Sequence, residues 1–305
     1  MTSVLVTGAS GLIGSHVFAR LIRDGHDVTG TFHGHVDRLP EVAEVAGTAR
    51  RVPLDLEDES SVGAAFQAAW PEAVIHCAAM SELKSCEVEP ERAHRINVLA
   101  TAKLARLCQS MGARMIFCST DQVYDGTVAH VSEEGDANPI HTYGRTKLEA
   151  EREVARATPN STSARIALVY GRSPSGDRSA SEKIGQALRA GEPPKLFVDE
   201  RRTPILVDDV ASALVELLEH RDLPVVNLGG PDAVSRHEFG VRFARAHGLD
   251  ESRIVANELA KLDLMPARPP DLTLDTKLLR ARVSRPPRGL DEALAVLAAT
   301  SEVTA

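Results

Sequence analysis

"SVLVTGASGLIG" occupies residues 3–14. A short apolar run, the signature of a buried strand, enters a turn that carries Gly8, Gly11 and Gly14. Behind the turn, Leu12, Ile13, Val17, Leu21 and Ile22 recur at helical spacing. A glycine triplet between a strand and a helix is the setting in which such a spacing acquires meaning. Gly8 permits the tight turn. Gly11 lets backbone N–H groups approach a pyrophosphate at the helix N-terminus, where the helix dipole favours an anion. Gly14 lets helix and strand pack closely.

Working outward, strand-like and helix-like segments alternate. Strands are expected at 3–8, 26–32, 49–56, 72–79, 113–120 and 163–171. Helices are expected at 12–25, 60–70, from Pro90 to Met111, and at 142–158. Parallel strands need helical crossovers, so the alternation predicts an α/β fold: a doubly wound parallel sheet of the Rossmann type. After Gly171 the pattern changes: "RSPSGDRSAS" (172–181) is polar, and prolines punctuate the remainder of the chain. A helix at 207–220, capped by Asp208 or Asp209, and a strand at 224–230 return to the sheet. The expected division is a dinucleotide-binding domain of residues 1–171 plus about 205–230. A smaller, discontinuous C-terminal lobe would comprise about 172–204 and 231–305.

Composition sets bounds on function. The chain has 305 residues, enough for one large or two intimately joined domains. The net charge is -8 and no Lys/Arg-rich block appears, which argues against a nucleic-acid partner. Cys77, Cys86, Cys108 and Cys118 form no C-x-x-C pair and read as reduced core thiols. The N-terminus lacks the basic and apolar regions of a signal peptide, and no stretch approaches a membrane span, so a cytoplasmic protein is expected. No spacing of His, Cys and carboxylates suggests a metal site, and His76, inside a strand, reads as a satisfied core histidine.

Tyr143 and Lys147 form Y-x-x-x-K on the helix at 142–158, which places both on one face. A phenol titrates near 10 in water. A neighbouring ammonium is expected to lower that value, so the pair could exchange a proton near neutrality. Thr120 ends the fifth strand, where its hydroxyl could align a carbonyl with Tyr143. The stretch after the second strand, "GTFHGHVDR" (30–38), has no acid at the strand end, while His33, His35 and Arg38 could meet a 2′-phosphate. NADP(H) is therefore expected over NAD(H). Asp55 ends the third strand, where it could meet the adenine amino group or precede a helix as a cap.

Taken together, "TGASGLIG", "DLED", "VIHCAA", Asn97, "STDQVYDG", "YGRTK" and "RIALVYG" resemble the extended short-chain dehydrogenase/reductase superfamily along nearly the whole chain. Within it they look most like the dTDP-4-dehydrorhamnose reductases, and are similar to the regulatory β subunit of methionine adenosyltransferase. The resemblance implies Thr120, Tyr143 and Lys147 as a catalytic triad. It implies that Gly8, Ser10, Gly11, Leu12, Ile13, Gly14, His33, Arg38, Asp55, Leu56, Cys77, Ala78, Ala79, Asn97, Tyr143, Lys147 and Val169 hold the cofactor. A nucleotide-sugar would meet Met80, Ser81, Thr120, Asp121, Gln122, His141, Arg202 and Arg268, with the arginines suited to its diphosphate. The nucleotide-sugar 4,6-dehydratases of the superfamily carry an Asp-Glu pair after the threonine. Here the pair is Asp121–Gln122, and a neutral amide cannot act as the base. "MSELKSCEVEP" (80–90) also departs from the "YTAVD"-like stretch of the rhamnose reductases. The expected activity is reduction of a keto group, most like the 4-keto group of a nucleotide-linked deoxysugar, by a monomer or homodimer. A non-catalytic NADP-binding subunit and a 4-epimerase with tightly held NAD are the alternatives.

Overall fold

The computed structural model describes residues 1–39, 48–262 and 264–302. Six strands of the first half, β1 (Ser3–Thr7), β2 (Asp27–Phe32), β3 (Ala49–Pro53), β4 (Ala73–His76), β5 (Arg114–Thr120) and β6 (Ser161–Ile166), join the strand Val225–Leu228 in one sheet. Their order is β3-β2-β1-β4-β5-β6 and then Val225–Leu228, with every pair parallel. The chain order reverses between β1 and β4, and a crevice opens there beyond the C-terminal strand ends. The expected doubly wound parallel sheet is what the chain forms.

Both faces of the sheet are covered. Along β1, Val4 and Val6 point into one core with Val17, Phe18, Leu21 and Ile22 of α1 (Leu12–Arg23). Leu5 points into the other, with Val62 and Phe66 of α2 (Glu59–Ala69). Alternate residues of one strand thus serve opposite layers, which is why the central strands are apolar throughout. β3 is the exposed exception. It is an edge strand, and its Arg50 pairs with Asp27, a charged edge that discourages pairing with another chain.

The strand between residues 72 and 79 is shorter than expected, ending at His76. The polar segment after it holds α3 (Leu83–Val88), which its sequence did not announce. The helix expected from Pro90 to Met111 has three parts: α4 (Pro90–His94), a π-helical turn over Arg95–Leu99, and α5 (Ala100–Met111). Asn97 sits inside the π turn, where the widened backbone re-aims a side chain. α6 (Thr142–Ala157) matches the helix read from sequence.

The second half adds α7 (Ala180–Arg189), α8 (Val207–Glu216) and α9 (Arg236–Ala246). α8 packs beside α1 under the sheet, with Val210 and Leu214 in the shared core. It begins directly after the strand Ile205–Leu206, so Leu206 takes the cap position expected of Asp208 or Asp209. Those two acids fall in the first turn, where Asp208 meets His16 and Asp209 meets Arg288. A separate apolar cluster joins α7 (Ile184, Leu188), α9 (Phe239, Phe243) and the C-terminal helix Leu290–Glu302. Leu279 and Val283, by contrast, pack back onto the sheet core.

Candidate active site

The glycine turn is built around Gly8, whose φ of +67° favours a residue without Cβ. Gly11 N donates to the Gly8 carbonyl at 2.9 Å. A Cβ on Gly14 would lie 2.2 Å from that same carbonyl oxygen, so the first turn of α1 reaches the loop only because residue 14 is glycine. A Cβ on Gly11 would meet the Gly8 oxygen alone, at 3.2 Å, and otherwise faces open space. The first turn of α1 contains no acid.

This turn forms one wall of a cavity of about 840 Å³ at the point where the strand order reverses. Of the residues expected to hold a dinucleotide, Gly8, Ser10, Gly11, Leu12, Ile13 and Gly14 line it from the turn. His33, Arg38, Asp55 and Leu56 line it from the ends of β2 and β3, and Cys77, Ala78 and Ala79 from the end of β4. Met80 and Ser81 come next, and Tyr143 and Lys147 enter from α6. Volume, cradle and lining all suit an extended dinucleotide. Among the described residues no group of side chains has the arrangement of a metal site.

Asn97 and Val169 are not among the lining residues. The Asn97 amide is spent on Met80, accepting from its N–H at 2.9 Å and donating to its carbonyl at 3.0 Å, and on the Thr146 hydroxyl at 3.1 Å. Asn97 therefore fixes the loop after β4 against α6 instead of facing a ligand. His76 bonds the hydroxyls of Thr7 at 2.6 Å and Thr101 at 2.9 Å, and burial pulls its pKa down to about 3. It is the satisfied core histidine expected. All four cysteines are free; Cys77 and Cys118 lie side by side in the cavity wall, Sγ to Sγ 3.5 Å.

Lys147 is buried, with Nζ 4.0 Å from the centre of the Phe117 ring. Burial pushes its pKa down to about 8, against the pull of Cys118 and Glu151. Tyr143 moves the other way. Desolvation raises its pKa, a hydrogen bond with the Thr120 side chain opposes, and the Asp121 charge adds to the rise. The expected lowering of the phenol is thus reversed in the protein alone, because loss of water outweighs the Thr120 hydrogen bond. A phenol held protonated is the state required of a proton donor.

Thr120 closes β5, accepting from Gln122 N at 3.2 Å and donating to Asp121 at 3.2 Å. Gln122 accepts from His141 Nε2–H at 2.8 Å, and His141 Nδ1 accepts from Gly144 N at 3.1 Å, which makes His141 the N-cap of α6. Burial lowers the His141 pKa, in keeping with the neutral ring that this tautomer needs. The glutamine of "STDQVYDG" thus positions the helix that carries Tyr143 and Lys147. Behind it, Glu151 accepts from Ser119 and forms a buried ion pair with Arg165 at 2.8 Å.

Thr120, Asp121, Gln122, His141, Arg202 and Arg268 lie beyond the lining of the cavity. Asp121 is buried, its Oδ2 without a hydrogen bond among the described residues, and desolvation pushes its pKa up to about 6 in spite of Arg202 at 3.8 Å. Arg202, expected to be free for phosphate, is buried and committed: it donates to Glu200 at 3.0 Å and to the carbonyl of Arg201 at 2.7 Å. Arg268 reaches the same Glu200 at 3.5 Å. Glu200 was not singled out from sequence; an acid next to two arginines in "VDERRTP" is its only local signal. Arg178 and Lys183 also line the cavity from the second half of the chain and were missed, because "RSPSGDRSAS" reads as a loop. The Ser179–Glu182 capping box was the available clue to a helix there.

A reversed-order parallel sheet, a glycine-turn crevice and a Tyr–Lys pair opening on it beside Thr120 define an oxidoreductase of the extended short-chain dehydrogenase/reductase class. Within that class the chain belongs to the RmlD substrate binding domain family, whose profile matches residues 1–302. It is 33% identical over 302 residues to the probable low-salt glycan biosynthesis reductase Agl14 of Haloferax volcanii, with 96% of each chain covered. It is 30% identical over 260 residues to the methionine adenosyltransferase 2 subunit beta of Xenopus tropicalis, covering 82% of this chain and 73% of that one. The dTDP-4-dehydrorhamnose reductase of Bacillus anthracis, solved in complex with NADP, shares the fold with a TM-score of 0.84 at 21% identity, covering 97% of this chain and 99% of that one. The Bordetella bronchiseptica enzyme WbmH, solved with NAD+, shares it with a TM-score of 0.83 at 20% identity, covering 99% of both.

Proposed function

We propose that the protein reduces a keto group of a nucleotide-linked deoxysugar, the 4-keto group in the first instance, using NADP(H) in preference to NAD(H). The observation that carries this reading is that Tyr143 and Lys147 line the same cavity as the glycine turn, with Thr120 at the adjoining strand end. Bound nicotinamide dinucleotide would supply the hydride. Tyr143, protonated through desolvation, gives its proton to the alkoxide oxygen as it forms. Lys147 places a positive charge behind the phenol, and Thr120 holds the carbonyl oxygen in line. Met80 and Ser81, which line the cavity, border the sugar. The cofactor domain is drawn as residues 1–171 plus about 205–230, and the substrate lobe as about 172–204 and 231–305. A cytoplasmic setting and a monomer or homodimer complete the proposal. Among the described residues no helix is long and apolar enough to cross a membrane.

NADPH oxidation measured with a panel of nucleotide-linked 4-keto sugars tests the reading. Turnover of at least one is expected. A protein that binds NADPH, turns over none and associates tightly with a second enzyme would instead be a regulatory subunit, the reading favoured by the relatives named as methionine adenosyltransferase subunits. Cofactor that co-purifies in the oxidised form would point to an epimerase.

A further inference from the structure

The glycine turn and β2 account for one side of the cofactor crevice. The second half of the chain adds two basic residues to the cavity lining, and they take no part in the proton transfer from Tyr143. Arg178 and Lys183 both line the cavity, and both are exposed there. Arg178 faces the carboxylate of Asp177 at 4.0 Å, too long for a strong hydrogen bond. His33, His35 and Arg38 line the same cavity. Asp177 lies in the field of both Arg178 and Arg38, so the two guanidinium groups approach the same end of the crevice from different parts of the fold.

The segment that presents Arg178 is held in place. Glu182 accepts from Ser173 N at 2.6 Å, from the Ser173 hydroxyl at 2.9 Å and from Ser179 N at 2.8 Å. The Ser179 hydroxyl accepts the capping-box bond from Glu182 N and donates to the Gly171 carbonyl at 2.6 Å. Gln186 donates to the Gly176 carbonyl at 2.7 Å. His16 of α1 ties the start of the segment to the cofactor helix, with one ring nitrogen 2.8 Å from the Arg172 carbonyl and the other 2.7 Å from Asp208. Little ordering cost remains for a ligand to meet, since the loop is already bonded to itself and to α1.

We propose that Arg178 and Lys183 complete, with Arg38, a binding site for the 2′-phosphate of NADP(H), so that coenzyme preference is set partly by the second half of the chain. The proposal rests on the dinucleotide reading of the crevice. The backbone N–H groups of the glycine turn and the N-terminus of α1 serve the diphosphate that both coenzymes share. The monoester at the 2′ position adds a further charge of nearly two, and a planar guanidinium with an ammonium matches it.

Equilibrium binding of NADPH and NADH to the full chain and to Arg178→Met, Lys183→Met and the double variant tests this. Circular dichroism and thermal melting would show that these exposed substitutions leave the fold intact. Each single variant should weaken NADPH binding by about tenfold, the worth of one hydrogen bond to a charged group, and leave NADH binding unchanged. NADPH affinity should also fall with salt more steeply in the wild type than in the double variant. Equal losses for both coenzymes would move the two cations to the diphosphate and overturn the proposal; so would unchanged NADPH affinity. If the wild type binds neither coenzyme, the dinucleotide reading itself falls and takes this proposal with it.

Discussion

Tyr143 can give a proton only while it holds one, and desolvation of its hydroxyl ensures that it does. Replacing it by phenylalanine removes the donor and leaves the cavity wall in place. Tyr143→Phe should cut kcat by about 10²–10⁴-fold with NADPH affinity close to wild type, measured by steady-state assay and coenzyme titration. Substantial residual turnover would remove Tyr143 as the acid. Lys147 titrates where an assay can see it. Its pKa is depressed to about 8, so the ammonium is present below that value and is lost as pH rises through it. The rate of ketone reduction should accordingly decline above about pH 8, and a flat profile from neutrality to pH 10 would count against a charged Lys147 in the rate-limiting step.

Elements translate these residue properties into position. The turn between β1 and α1 carries two glycines with different duties. Gly14 has no room for a methyl group, because the Gly8 carbonyl oxygen would lie 2.2 Å from it. Gly14→Ala should therefore destabilise the fold by about 1–3 kcal/mol, read as a lowered denaturation midpoint. Gly11 faces the cavity, and a larger side chain there intrudes on the ligand more than on the protein. Gly11→Val should keep most of the stability and lose dinucleotide binding; normal coenzyme affinity in that variant would refute the role given to the turn. At the other wall, α6 is capped by His141, which is held neutral and oriented by Gln122. A residue that looked chemically inert in "STDQVYDG" thereby fixes the register of the helix bearing the Tyr–Lys pair.

On the scale of the whole molecule, a small charge network spans residues far apart in sequence: the buried Asp121 after β5, the buried Glu200 and Arg202 between α7 and α8, and the exposed Arg268 nearer the C-terminus. Among the described residues, Glu200 supplies the carboxylate within hydrogen-bond reach of Arg202. Its neutralisation leaves a buried guanidinium with Asp121, 3.8 Å away and not hydrogen-bonded to it, as its facing carboxylate. Glu200→Gln should cost about 3 kcal/mol or more of stability, seen in chemical denaturation, while an unchanged midpoint would show that water already screens the network.

Much of this protein is legible locally. The glycine spacing, the apolar runs of the strands and the helical period of α1 and α6 are each decided within a few neighbouring residues, and the parallel fold and the Tyr143–Lys147 pair are consequences of them. The splitting of the helix between Pro90 and Met111 by a π turn, and the short α3, were not legible, since neither leaves a distinct period. The commitment of Arg202 to Glu200, the turning of Asn97 towards Met80, the reversal of the Tyr143 pKa and the arrival of Arg178 and Lys183 in the cavity that Arg38 lines belong to the tertiary structure alone. Each depends on desolvation, or on a partner chosen by folding and not by neighbourhood in the chain, and no local pattern of residues encodes which buried charge will find which.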